Sequence, residues 1–260
     1  MAIKLTEISK YLNFAKKLIN VSEQIIKKNS PQKLKVNFKY DKSPVTKIDT
    51  EIERKLRSLI KSKYPTHGIY GEEFTNNKIS SPYVWVIDPI DGTKNFINGN
   101  GSYGTLISLC RDGSPVFGII NSPDIKKRWI GIKDNGAYCN GKKLKKSNLE
   151  LSLKDLFFST SGMTAFKSVN KNKKYNALAK KTKYITLGGD CVQYGLLAEK
   201  RIPLVVESFL KPFDYLPLVN IIEESGGIIT DWKGKPLNFK SDGDVVACVS
   251  KKAHKQFLKI

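Results

Sequence analysis

At 260 residues, with 40% hydrophobic and 27% charged side chains, the chain has room for one large domain or two intimately packed halves, 1–150 and 151–260. Two histidines far apart and four cysteines with no Cys-x-x-Cys spacing argue against a histidine phosphatase, a Ser-His-Asp hydrolase and a zinc centre. The net charge of +21 points to anionic partners, but only five of the 45 basic residues are Arg, which disfavours a nucleic-acid reader and leaves attraction of a small phosphorylated molecule as the simpler use of the charge.

The N-terminus predicts an amphipathic helix, since Ile8, Leu12, Ala15, Ile19 and Ile26 fall near one face. Lys4, Glu7 and Lys10 interrupt its apolar residues, so it does not read as a signal peptide, and no run approaches the roughly 20 apolar residues of a membrane span. A reduced, soluble, cytoplasmic protein is the expectation. A second helix carries Ile48, Ile52, Leu56, Leu59 and Ile60 and ends near Tyr64-Pro65, with Asp49 close to its start, where capping alone explains an acid. Strands are predicted at Ile69–Gly71, Val84–Asp88, Gly104–Leu109, Val116–Asn121 and Arg128–Ile132, with turn signals at Asp112-Gly113 and Asp134-Asn135-Gly136. Trp85 and Trp129 read as core aromatics, and His67 as structural.

After Ser147 strands and helices alternate. Phe157–Thr160, Leu204–Glu207, Ile228–Asp231 and Val245–Ser250 read as strands; Cys191–Lys200 and Tyr215–Ser225 read as helices, the latter stopped by Gly226-Gly227. The polar stretch Ser168–Lys181 suggests a loose helix or loop. The lysine clusters at 142–146 and 171–174 read as solvated surface.

The chemistry concentrates in acids. Asp88-Pro89-Ile90-Asp91-Gly92-Thr93 follows the apolar run Val84–Ile87, so a buried strand delivers two carboxylates into a tight turn with the Ile90 carbonyl between them. Hard oxygen donors of this kind suit Mg²⁺, which completes its shell with water and substrate phosphate. Thr93 adds a hydroxyl, and the N–H groups after the turn can hold a phosphate oxygen. Glu72-Glu73 end the strand before it, and Asp214 follows Lys211-Pro212-Phe213 near a helix start.

These motifs are Gly71-Glu72-Glu73, Trp85-Val86-Ile87-Asp88-Pro89-Ile90-Asp91-Gly92-Thr93 with Asn95-Phe96, Asp214 ahead of Glu224-Ser225-Gly226-Gly227, and Ser43-Pro44-Val45-Thr46 with Asp49. Together they make the chain resemble the inositol monophosphatase superfamily of Mg²⁺-dependent, lithium-sensitive phosphatases, from about residue 5 to the end. One departure is Phe213-Asp214-Tyr215-Leu216-Pro217, where that family usually writes Trp-Asp followed by small residues. The resemblance implies an α+β fold, a layered α-β-α-β-α sandwich, usually as a homodimer, with two or three Mg²⁺ per active site. It implies that Glu72, Asp88 and the Ile90 carbonyl hold a first metal with its water, and that Asp88, Asp91 and Asp214 hold a second. Thr93, hydrogen-bonded to Asp49, would orient the attacking water, and the Gly92 and Thr93 amides would bind phosphate.

Within the superfamily the chain is most similar to the histidinol-phosphatase branch. The segments that carry this are Gly92–Phe96, Gly104–Leu109, Arg128–Gly131, Leu187-Gly188-Gly189-Asp190-Cys191 through Ala198, and Leu210–Tyr215. The resemblance sets Asp190 and Glu207 at the border of the alcohol pocket, and an acidic pair there suits a cationic leaving alcohol. The implied reaction is hydrolysis of L-histidinol phosphate to L-histidinol and phosphate, a step of histidine biosynthesis, by metal-activated water. Two alternatives stand beside it: a phosphatase of inositol, nucleotide or sugar phosphates on the same fold, and a basic interaction protein on a phosphatase scaffold. Four convergent acids count against the second.

Overall fold

The computed structural model describes residues 5–29, 36–39, 44–147 and 149–260. Ser43, the first residue of the Ser43-Pro44-Val45-Thr46 motif, lies outside the described residues. In chain order the elements are α1 (Leu5–Lys28), β1 (Val36–Phe38), β2 (Pro44–Thr46), α2 (Lys47–Lys63), β3 (Gly68–Gly71), β4 (Tyr83–Asp91), α3 (Thr93–Ile97), β5 (Gly104–Arg111), β6 (Ser114–Ser122), β7 (Lys127–Ile132), β8 (Gly136–Cys139) and β9 (Lys142–Lys143). They continue with β10 (Phe158–Thr160), α4 (Val169–Lys181), β11 (Ile185–Leu187), α5 (Asp190–Ala198), β12 (Leu204–Glu207), α6 (Pro212–Glu224), β13 (Ile228–Asp231), β14 (Val245–Cys248) and α7 (Lys251–Leu258).

Strands β3 to β9 form one seven-stranded sheet in sequence order, with β3 parallel to β4 and every later pair antiparallel. A five-stranded sheet follows in the order β11-β10-β12-β14-β13, and β1-β2 form a separate small hairpin. Helices α1 and α2 cover one face of the large sheet through Ile8, Leu12, Ala15, Ile19, Ile26, Ile52, Leu56 and Ile60, so the sequence periodicity marks the buried stripe. Helices α5 and α6 lie between the two sheets, where Val86, Ile120 and Trp129 meet Tyr194, Leu197, Leu218 and Val205. Helices α4 and α7 close the far face of the second sheet around Phe158, Tyr175, Leu178 and Phe257. The result is the layered α-β-α-β-α sandwich that the resemblance implies.

The central layer is thin because glycines make it so. A methyl group on Gly118 of β6 would stand 1.8 Å from the Pro217 carbonyl oxygen of α6, and one on Gly131 of β7 would stand 2.2 Å from the Asn220 carbonyl carbon. Larger residues there would push α6, and with it Asp214, away from the sheet.

Three expectations need refinement. Of the two readings of 168–181, a loose helix or a loop, residues 169–181 take the helical one, capped by Ser168; only Tyr175 and Leu178 in it are buried, so its apolar stripe is narrow. Lys171 and Lys174 are also not idle surface charges. The Lys171 ammonium bonds Asp244 Oδ1 and Ser208 Oγ at 2.6 Å and lies 3.9 Å from the Phe209 ring centre, while Lys174 sits over Phe257. Helix α6 starts three residues earlier than Tyr215, because Pro212 suits a first helical turn and Asp214 caps it through the Lys211 N–H. All four cysteines are free, and His67 accepts from Trp85 Nε1 at 3.1 Å, which makes it structural as expected. Among the described residues no helix is long and apolar enough to cross a membrane.

Candidate active site

Two carboxylates at an odd spacing on a regular strand point to opposite faces of the sheet. Asp88 and Asp91 escape this because β4 bulges against β5: Asp88 pairs with Leu106 and Asp91 with Gly104, so two residues of β4 oppose one of β5. Pro89 has no N–H to lose at the bulge, and its carbonyl accepts from Thr105 Oγ1 at 2.9 Å. The bulge turns both acids toward the start of α6. Carboxylate oxygens of Asp88, Asp91 and Asp214 lie within 4.8 Å of one another. Asp88 Oδ1 is buried and has no hydrogen-bond partner among the described residues.

Such a cluster cannot hold three negative charges in the absence of a counter-ion. Burial is the largest cause raising the Asp88 carboxyl well above its ordinary range, with Glu72, Asp91 and Asp214 adding to it. Burial likewise raises Asp91, and with Glu72 next in importance it pushes Asp214 up to about 7. Hard oxygen donors, an orphaned buried oxygen and mutual repulsion together fit a divalent cation such as Mg²⁺. Glu72, at the end of β3, joins the group through Asp88. Its Oε1 accepts from the Lys39 ammonium at 2.7 Å, which also bonds Glu73 at 2.8 Å. Nothing in the sequence singles out Lys39, which follows β1 as one of many lysines.

The expected Thr93–Asp49 hydrogen bond is not present. Thr93 Oγ1 donates to the Ile90 carbonyl at 3.0 Å. Asp49 instead closes a capping box at the start of α2, its Oδ2 accepting from Thr46 N at 2.8 Å and Thr46 Oγ1 at 2.5 Å. The local cap has won over the distant partner. Burial nevertheless pushes Asp49 up to about 6, and its Oδ1 is buried without a partner. Gly92 takes a left-handed φ of 83° between Asp91 and α3, as its place in the turn requires.

Beside the acids opens a cleft of about 260 Å³, a scale suited to a small metabolite. Asp91 and Asp214 line its inner side; Asp190, Glu207, Lys94 and Tyr194 line the rest. Asp190 opens α5 with φ 38°, a left-handed backbone uncommon for a residue other than glycine, and its Oδ2 accepts from Asn95 Nδ2 at 2.6 Å. The next N–H, of Cys191, donates to Asp91 Oδ2 at 2.5 Å and ties the start of α5 to the acid cluster. Glu207 is buried at the end of β12. Its Oε1 accepts from Ser161 N, Ser161 Oγ and Gln193 Nε2 at 2.6–2.8 Å, whereas Oε2 accepts from Thr160 Oγ1 at 3.3 Å. Burial pushes Glu207 up to about 7 against those donors. Thus Asp88, Asp91 and Asp214 come together with Glu72 acting on Asp88 from beside them, Asp190 and Glu207 face the adjoining cleft, and Asp49 is turned to its own helix cap. Ser161 and Gln193 were not foreseen, because their role depends on β10, α5 and β12 meeting.

The raised carboxyls make a prediction for stability. A folded-state pKa above the unfolded value near 4 stabilises below that value, and the benefit is lost as pH rises through about 7 for Asp214 and Glu207. His254 is pushed down to about 4 by burial and works the other way, but its contribution is complete above about 6.5. The thermal midpoint of metal-free protein is therefore expected to fall as pH rises from about 4.5 and to level off above about 8, with saturating Mg²⁺ removing the share that Asp214 contributes and leaving the share of Glu207. Calorimetry showing a flat metal-free profile would contradict the charge frustration described.

Comparison with known proteins agrees with this geometry. Residues 7–260 match the inositol monophosphatase family profile. A bifunctional phosphatase IMPL2, chloroplastic, of Arabidopsis thaliana is 38% identical over 244 residues, 93% of this chain and 70% of that protein. A histidinol-phosphatase of Chlorobaculum parvum is 31% identical, covering 82% of each chain. The structure of an inositol monophosphatase from Zymomonas mobilis superposes with a TM-score of 0.87 at 36% identity, over 96% of this chain and 97% of that one. With its acid cluster, cleft and layered fold, the chain belongs to the inositol monophosphatase family and is a phosphatase of that metal-dependent family.

Proposed function

We propose that the protein is a Mg²⁺-dependent phosphomonoesterase whose substrate is L-histidinol phosphate. The observation that carries the reading is the pair Asp190 and Glu207 lining the same cleft as Asp91 and Asp214. An acid-lined cleft repels a phosphate ester unless cations stand between them, which supports Mg²⁺ at Glu72, Asp88, the Ile90 carbonyl, Asp91 and Asp214. When bound, Mg²⁺ supplies a nucleophilic water near neutral pH and neutralises charge on the phosphoryl group. The chain's own residues do the positioning. The N–H groups of Gly92 and Thr93, at the start of α3, have no carbonyl of that helix to meet and are suited to phosphate oxygens. Thr93 Oγ1, its proton committed to the Ile90 carbonyl, presents lone pairs to the attacking water and holds it in line. Asp49 fixes the start of α2 through Thr46, and its charge bears on Glu72.

Beyond the phosphate, Asp190 and the less occupied Oε2 of Glu207 offer acceptors to the leaving alcohol. An amine and an imidazole are donors of the right sign for both. Relatives described as histidinol-phosphatases support the same reading. The alternative, inositol 1-phosphate, is favoured by a different observation: Glu207 already takes three short bonds from neutral donors, so a hydroxyl would suit its remaining lone pair as well. Phosphate release from L-histidinol phosphate, measured with Mg²⁺, with EDTA and after Mg²⁺ is restored, tests the proposal. Release that depends on Mg²⁺ and returns with it is expected; no release from this ester at any Mg²⁺ concentration rejects it.

A further inference from the structure

Helix α2 carries two stripes side by side. Ile48, Ile52, Leu56 and Ile60 recur every four residues and are buried, as an amphipathic helix requires. Asp49, Glu53 and Arg57 recur one position later and are buried too, with Glu53 at 0% and Arg57 at 7% exposure. Asp49 is accounted for by the helix cap. Glu53 and Arg57 have no part in the chemistry described so far, and burying an ion pair costs more in lost hydration than simple packing would return.

Their hydrogen bonds show where the pair acts. Arg57 Nε donates to Glu53 Oε1 at 2.7 Å, while Nη1 and Nη2 donate to the Thr75 and Phe74 carbonyls at 3.1 and 2.9 Å. Glu53 Oε2 accepts from the Glu73 N–H at 2.7 Å. On the other side of the turn the Gly71 N–H donates to Asn76 Oδ1 at 3.0 Å. Backbone groups of residues 71, 73, 74 and 75 are thereby held, and Glu72 lies inside the held stretch. The glycine before it has the same cause: a Cβ at Gly71 would stand 2.2 Å from Glu53 Oε1 and 2.8 Å from Arg57 Nη2. So Gly71-Glu72-Glu73 is shaped by a charged pair some fifteen to twenty residues upstream.

We infer that Glu53 and Arg57 are positioning residues that aim the Glu72 carboxylate at the Asp88 cluster, so that the cation finds a preformed donor. The inference rests on reading those acids as a cation site, and it is independent of which phosphate ester is cleaved. Groups that hold metal ligands in place are commonly worth 10–100-fold in metal affinity.

The test uses Mn²⁺ binding to the full-length, metal-free protein, followed by calorimetry and by the electron-spin signal of free Mn²⁺, with thermal midpoints measured alongside. Glu53→Gln removes the charge. Since it leaves Arg57 buried and unpaired, the double variant Glu53→Met/Arg57→Met accompanies it, replacing the pair with apolar groups of similar length. Mn²⁺ affinity is expected to fall about 10-fold or more in both variants, while the double variant keeps a metal-free thermal midpoint near that of the parent. A double variant that binds Mn²⁺ as the parent does, or that does not fold, overturns the inference and leaves the pair a structural strut. Asp88→Asn separates the two levels of the argument: if it too binds Mn²⁺ normally, the cation site itself is misassigned and the inference falls with it.

Discussion

Replacing Asp88 by Asn is expected to lower kcat for phosphate release by about 10³-fold or more, while the metal-free protein keeps or gains thermal stability. The asymmetry follows from the site. Asp88 is buried with one oxygen unpartnered, and Glu72, Asp91 and Asp214 raise its carboxyl beyond what burial alone does. An amide of the same shape relieves that repulsion, so the fold loses nothing it needs. The same change takes away a charged donor from the centre of the cluster, and phosphoryl transfer depends almost wholly on positioning and charge neutralisation. Steady-state phosphate release at low millimolar Mg²⁺, paired with calorimetry, checks both halves. Activity within about tenfold of the parent would remove Asp88 from the proposed metal set.

Asp190→Asn is expected to act on substrate choice. Asp190 and Asp91 line the same cleft, and with Asn95 on one oxygen and Ser161 also acting on the carboxylate, Asp190 still has lone pairs to offer a ligand. Loss of its charge should reduce kcat/KM for L-histidinol phosphate by roughly 10-fold, the equivalent of about 1.4 kcal/mol of charge-assisted contact. Glycerol phosphate, which has no cationic group, should be nearly unaffected. Asn is the informative replacement because it tolerates the left-handed backbone that Asp190 adopts at φ 38°, whereas a β-branched residue would strain the start of α5. Equal losses on both esters would mean that Asp190 shapes the α5 turn and does not read the alcohol.

How much of this was legible beforehand depends on the range of the interaction. Asp88 and Asp91 announce themselves because strand, bulge and turn are encoded within ten residues, and the apolar run ahead of them marks the strand as buried. The α1 stripe and both core tryptophans were readable for the same reason. Glu53 and Arg57 were hidden in plain view: their four-residue spacing parallels the apolar one, but i,i+4 charges on a helix usually face water, and only the fold brings the Glu72 turn against them. Lys39 and Lys171 could not be told from the other lysines, since each acquires its role from acids 33 and 73 residues away. The Thr93–Asp49 bond was expected by resemblance, and here the local geometry of the Thr46 cap overrides it. Helix α4 stays open between helix and loop in the sequence because so few of its side chains are buried.

In the proposed function the acid cluster and the pocket lined by Asp190 and Glu207 work as one Mg²⁺-dependent site for a cationic phosphate ester. The most direct test is the ratio of kcat/KM for L-histidinol phosphate to that for inositol 1-phosphate, measured on the parent protein at saturating Mg²⁺. A ratio well above one is expected, on the order of 10-fold or more for each carboxylate that contacts the cationic group. A ratio at or below one would contradict it and assign the Asp190–Glu207 pocket to hydroxyl recognition.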